Sequence, residues 1–175
     1  ILLRLDQASD AADAYLSLLG KYPLERAVLP DLAIAYTRMK PANLEKARDL
    51  IGVLLSTERL SPADLQRGYL AKAQIELSAK DFAAAIVSSQ QVLDSKPGPE
   101  VAAQAALAVG QALAGQGDYA GALKSLDKAD AAAGRFEGPI YLARAVYLWK
   151  TGASGEALEA FEETVFRFPG TAVSL

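Results

Sequence analysis

Apolar residues recur along the chain at helical spacing. Ala11, Tyr15 and Leu18 form one such set, Ala47, Ile51 and Leu54 a second, and Ala122, Leu126 and Ala129 a third. Steps of four and three residues line one face of an α-helix, whereas a half-buried strand needs alternation. No alternating run long enough for a strand interrupts these sets, so the chain is predicted to be all-α, with about nine helices joined by short turns.

The same pattern returns at a nearly fixed interval. Ala11, Ala47, Ala85, Ala122 and Ala157 are separated by 36, 38, 37 and 35 residues, and twelve residues before the last four stand Ala35, Ala73, Gly110 and Ala145. Twelve residues after the anchoring alanines come Pro23, Arg59, Pro97, Gly134 and Pro169, with Pro62 close behind Arg59. Helix breakers at these places end each unit in a turn. One unit is therefore two helices, and the small residues mark where they cross, because helix axes approach to about 8–10 Å only over short side chains.

Local start signals agree. Asp81 and Asp118, in Lys80-Asp81-Phe82 and Gly117-Asp118-Tyr119, are suited to cap the second helix of their pairs, with the aromatic behind each packing inward. Ser61-Pro62-Ala63-Asp64 combines a Ser cap, Pro in the first helical position and an acid three residues past the cap. It predicts a long helix from Pro62 to about Ala79.

With these residues in place, the chain resembles the tetratricopeptide repeat family. Gly110, Gly117-Asp118-Tyr119 and Ala122 stand as in the family pattern, as do Tyr141, Ala145, Ala157, Phe161 and Pro169. The resemblance spans nearly the whole chain and implies a right-handed superhelical solenoid of antiparallel helix pairs, about four and a half repeats long. The bounds are a partial repeat over 1–25, repeats over 26–61, 62–99, 100–136 and 137–171, and the start of a further helix at 171–175. The second repeat fits the pattern better with Pro41-Ala42 as an insertion, which places Leu29, Leu32, Ala33 and Tyr36 in register instead of Ala35. In the fifth, Ala153 and Ser154 replace the acid and aromatic of the turn, and in the fourth Gly134 replaces Pro. Both ends read as mid-repeat, as in a slice of a longer, Ala-rich protein of bacterial character. Ile1 to Leu5 lacks the basic flank and cleavage site of a signal peptide.

Composition narrows the chemistry. Of 175 residues 51% are hydrophobic and 22% charged, enough for a packed domain. Cysteine and histidine are absent, which removes disulfides, Cys/His zinc sites and the Ser-His and Cys-His nucleophile pairs. Zero cysteines fit an oxidising and a reducing compartment equally. The net charge of −3 lacks the basic excess that draws a protein to nucleic acid or an anionic membrane. The longest uncharged stretch, Val101 to Gly117, is rich in alanine, is interrupted by Gln104, Gln111 and Gln116, and is shorter than the roughly 20 residues a span requires. It reads as a packing helix, and direct membrane insertion is not expected.

Gly115, Gly117 and Gly121 cluster, but no Gly-Lys-Ser/Thr follows and no strand precedes, so an inter-helix turn explains them better than a phosphate cradle. Glu156, Glu159, Glu162 and Glu163 lie on one side of the last helix; a solvated face accounts for them more simply than a hard-cation site. No spacing sets two carboxylates across a cleft. The chain is expected to be no enzyme, with no catalytic residues, no metal and no cofactor.

In the family it resembles, first-helix residues form the concave face. Register then nominates Arg67, Leu70, Gln74 and Leu77 in the third repeat, Gln104, Leu107 and Gln111 in the fourth, and Leu142, Val146, Trp149 and Lys150 in the fifth. Each leucine could equally be core, and Trp149 could serve the core or the groove. The family variant that clamps a C-terminal carboxylate with Lys and Asn is not matched, since Leu70, Leu107 and Leu142 occupy the comparable turn. The expected function is a protein-interaction scaffold that binds a partner peptide or domain. Two alternatives stand beside it: a structural module that self-associates end to end through Leu2, Leu3, Leu5, Val173 and Leu175, and a regulatory extension of an enzyme encoded outside this segment.

Overall fold

A computed structural model describes residues 7–22, 26–127, 129 and 134–169. Among the described residues there are nine α-helices, two single 3₁₀ turns and no strand. The helices are α1 (Ala8–Lys21), α2 (Leu29–Arg38), α3 (Leu44–Leu55), α4 (Pro62–Ser78), α5 (Phe82–Asp94), α6 (Pro99–Gly115), α7 (Tyr119–Asp127), α8 (Glu137–Thr151) and α9 (Ser154–Arg167). The chain divides into two compact units, Ile1–Ser88 and Ser89–Leu175, with the boundary inside α5. Leu2, Leu3, Leu5, Val173 and Leu175, nominated for end-to-end association, lie outside the described residues, as does the helix start expected at 171–175.

Start signals act as their chemistry requires. The Ser61 hydroxyl accepts the Asp64 amide at 3.1 Å and donates to the Asp64 carboxylate at 2.6 Å, fixing the first turn of α4. Asp81 accepts the Ala84 amide at 3.2 Å, and Asp118 accepts the Gly121 amide at 2.8 Å. Asn43 supplies a further cap, accepting the Lys46 amide at 3.1 Å at the start of α3. At the fifth-repeat turn the expected departure has a local consequence. Gly152 ends α8 in the left-handed region at φ 86°, and α9 starts from Ala153 without a side-chain cap.

In the first unit α2 packs against α1, α3 and α4, and α3 also packs against α4. Its core joins Ala12 of α1, Leu32, Ala33 and Ala35 of α2, Ala47 and Ile51 of α3, and Ala71 and Ile75 of α4. In the second unit α6 packs on α7, α8 packs on both α7 and α9, and α6 touches α8. Its core joins Ala103 and Ala106 of α6, Ala122 and Leu126 of α7, and Ile140 and Tyr147 of α8.

The small residues that mark the repeat are where the helices meet. Ala35, Ala47, Ala73, Ala85, Ala122, Ala145 and Ala157 are all buried, and so is Gly110. A Cβ added to Gly110 would come within 2.8 Å of the Ser125 hydroxyl and 3.3 Å of a Leu126 methyl, so α6 and α7 approach to the limit that glycine permits. Ala11 alone of the anchoring set is only half-buried.

Candidate functional site

The residues nominated on the first helices differ in exposure. On α4, Arg67, Gln74 and Leu77 are half-buried and Leu70 is buried at 8% exposure. The Arg67 guanidinium holds the Asp31 carboxylate of α2 at 2.9 Å, so much of its charge is already answered within the unit. Tyr15 of α1 stands near that pair; burial raises its phenol above the ordinary value, the Asp31 charge adds to the rise, and Arg67 opposes it.

In the second unit Leu107 of α6 is also buried, at 8% exposure, and belongs to the core, while Gln104 is half-buried and Gln111 exposed. The burial of Leu70 and Leu107 leaves little of either side chain for a partner. On α8, Leu142 and Val146 are half-buried and share a face with Trp149, which is 57% exposed. The Lys150 ammonium lies 4.6 Å from the centre of the Trp149 ring, a cation–π distance. Of the core and groove alternatives for Trp149, this exposure leaves the ring accessible.

Other features lay outside the nominated set. A groove of about 410 Å³ between α3 and α4 is lined by Arg48, Ile51, Gly52, Leu55, Lys72, Ile75 and Glu76. One carboxylate oxygen of Glu76 is 3.9 Å from the Lys72 ammonium, and the other is buried with no hydrogen-bond partner. The sequence signal for that pair was the i, i+4 spacing of Lys72 and Glu76 on one helix face. Within the second-unit core the Tyr119 and Tyr147 rings stand 6.3 Å apart. Burial pushes the Tyr147 phenol up to about 12, with Tyr119 as the smaller cause.

The glycine cluster lies in an inter-helix turn, where Gly117 takes φ 84°. The acids of α9, Glu156, Glu159, Glu162 and Glu163, are exposed, and Glu163 pairs with Arg167 at 3.2 Å. Among the described residues no group of three or more acids forms a metal site, and no helix is long and apolar enough to cross a membrane. No protein-family model, curated protein or solved structure matches the chain.

Proposed function

We propose that the chain forms a tetratricopeptide-like solenoid, right-handed and superhelical, that acts without catalysis by presenting its first-helix face to a partner peptide or domain. The observation that carries this reading is Trp149. A tryptophan left 57% exposed, on the same helix face as Leu142 and Val146, keeps apolar area in water that a bound partner would remove. Its neighbour Lys150 adds a charge beside the ring, and the exposed amide of Gln111 on α6 can donate to or accept from a peptide backbone. In the first unit Leu70 becomes support, with contact assigned to Gln74 and Leu77 and with Arg67 contributing through its Asp31 pair; in the second unit Leu107 becomes support, with contact assigned to Gln104, Gln111, Leu142, Val146, Trp149 and Lys150.

The test is to recover partners from source-cell extract on the immobilised protein and titrate the recovered partner against variants. Trp149→Ala should weaken binding at least about tenfold without changing the melting temperature by more than a few degrees. The double change Gln74→Glu with Gln111→Glu is nearly isosteric and should weaken binding by placing desolvated carboxylates in the interface. Unchanged affinity in both would move the binding surface away from the first helices.

A further inference from the structure

The groove between α3 and α4 departs from the internal repeat in its charge. Its walls are apolar, formed by Ile51 and Leu55 of α3 and Ile75 of α4, and its volume of about 410 Å³ lies within the range of small-molecule sites. Three charged side chains line it as well, Arg48 on α3 and Lys72 and Glu76 on α4. Counted from the small residue of each first helix, Glu76 corresponds to Leu113 of α6 and Leu148 of α8. Counted from the anchoring alanine of each second helix, Arg48 corresponds to Ile86, Leu123 and Leu158. The packing that recurs along the chain therefore uses an apolar residue at both places. In this groove they hold a base and an acid whose side chain is only 12% exposed.

The chain's own groups answer these charges poorly. One Glu76 oxygen is 3.9 Å from the Lys72 ammonium, too long for a hydrogen bond, and the other is buried with no partner. A buried acceptor left in that state is costly unless a donor reaches it. Arg48 is exposed and joins no ion pair among the described residues. Gly52 lies four residues beyond Arg48 on the same face of α3. A Cβ added there would meet nothing within 4 Å, so packing does not require glycine, which weakens a helix relative to alanine. Its effect is to keep the groove open. Two cations and one acid then select the ligand. A simple anion would leave the Glu76 oxygen unanswered, and a simple cation would be repelled by Arg48 and Lys72. A zwitterion with an apolar body meets every group: its ammonium donates to Glu76, its carboxylate accepts from Arg48 and Lys72, and its body covers Ile51, Leu55 and Ile75.

We propose that the groove between α3 and α4 binds a free α-amino acid with an apolar side chain, its ammonium on Glu76 and its carboxylate on Arg48 and Lys72. By helical register Lys72, Ile75 and Glu76 lie on the side of α4 opposite Arg67, Leu70, Gln74 and Leu77, so this site stands or falls independently of the function proposed above. The probe is L-leucine, titrated into the whole protein by calorimetry beside N-acetyl-leucine, which lacks the ammonium, and leucinamide, which lacks the carboxylate. L-Leucine should bind saturably, and both analogues should bind at least about tenfold more weakly, since each leaves charged groups of the groove unpaired. Glu76→Gln is nearly isosteric and should remove the preference for L-leucine over N-acetyl-leucine. Arg48→Ala, at an exposed position, should reduce the preference over leucinamide. Gly52→Leu should fill the groove and abolish binding while the melting temperature holds or rises. Absence of saturable binding by L-leucine, L-valine and L-phenylalanine overturns the proposal. Equal affinity for L-leucine and N-acetyl-leucine, or binding indifferent to Gly52→Leu, overturns it equally.

Discussion

At Gly110 the hydrogen of glycine lets α6 reach α7, and the neighbouring atoms set what a larger side chain costs. The nearest obstacle to a Cβ is the Ser125 hydroxyl at 2.8 Å, itself held by the carbonyl of Ala122 at 2.7 Å and reaching that of Ala106 at 3.3 Å. An alanine would gain about 1 kcal/mol of helix propensity and lose a similar amount by displacing that hydroxyl. Gly110→Ala should therefore be close to neutral, and adding Ser125→Ala should raise stability above it. Gly110→Leu or Ala122→Leu should destabilise by about 1–3 kcal/mol through overpacking. Urea midpoints decide both; a leucine variant as stable as the parent would mean that the helices do not cross there. The small residues were legible in the sequence because their spacing alone marks the crossings. Leu107 was not separable into core and groove, since α6 carries Ala, Val and Leu on nearly every side and its periodicity hardly distinguishes inward from outward.

Tyr147 gives a residue-level test by pH. Its phenol is raised from the ordinary value of 10.0 to about 12 in the folded chain. The folded state therefore holds the proton longer than the unfolded state does. The stability tied to this group is fully present below about pH 10 and is lost as pH rises toward 12, by up to about 3 kcal/mol. Tyr147→Phe should flatten the fall in stability over that window relative to the parent. Identical alkaline unfolding curves would refute burial as the cause of the shift.

Helix starts carry the element scale. Ser61, Asp81 and Asp118 were readable because each is a short oxygen-bearing side chain at a break in the apolar period, and each accepts an amide near the start of the helix that follows. Asn43 has the same chemistry, yet it follows directly on the Pro41-Ala42 insertion that blurred where α3 begins. The 3₁₀ turns Arg26–Val28 and Gly134–Phe136, which lead into α2 and α8, are too short to leave a periodic trace. Ser61→Ala should cost about 1 kcal/mol, because it removes both the capped amide and the return bond to Asp64. Hydrogen exchange should show the loss first at the amides of the opening turn of α4. Uniform change along the chain, or none, would mean that Pro62 at the first helical position already fixes that turn.

For the whole molecule, the repeat foretold an all-α chain in which neighbouring helices pack, because that architecture needs only the helical period and the spacing of breakers. The division inside α5 left no mark in the sequence, since the repeat runs through Ser88 and Ser89 without the Gly/Pro or charged run that signals a linker. Charge is distributed so that binding on the first-helix face should respond weakly to salt. On the first-helix face Arg67 is paired with Asp31, and Lys150 stands over the Trp149 ring, so binding there should draw mainly on apolar burial and amide hydrogen bonds. Raising salt from about 0.1 M to about 1 M shortens the screening length from about 10 Å to about 3 Å. Affinity for a partner on the first-helix face should fall by less than about threefold over that range, within what screened single charges account for. A first-helix partner with a steeper salt dependence than this would mean that its affinity rests on charge, contrary to the apolar face from Leu142 to Trp149.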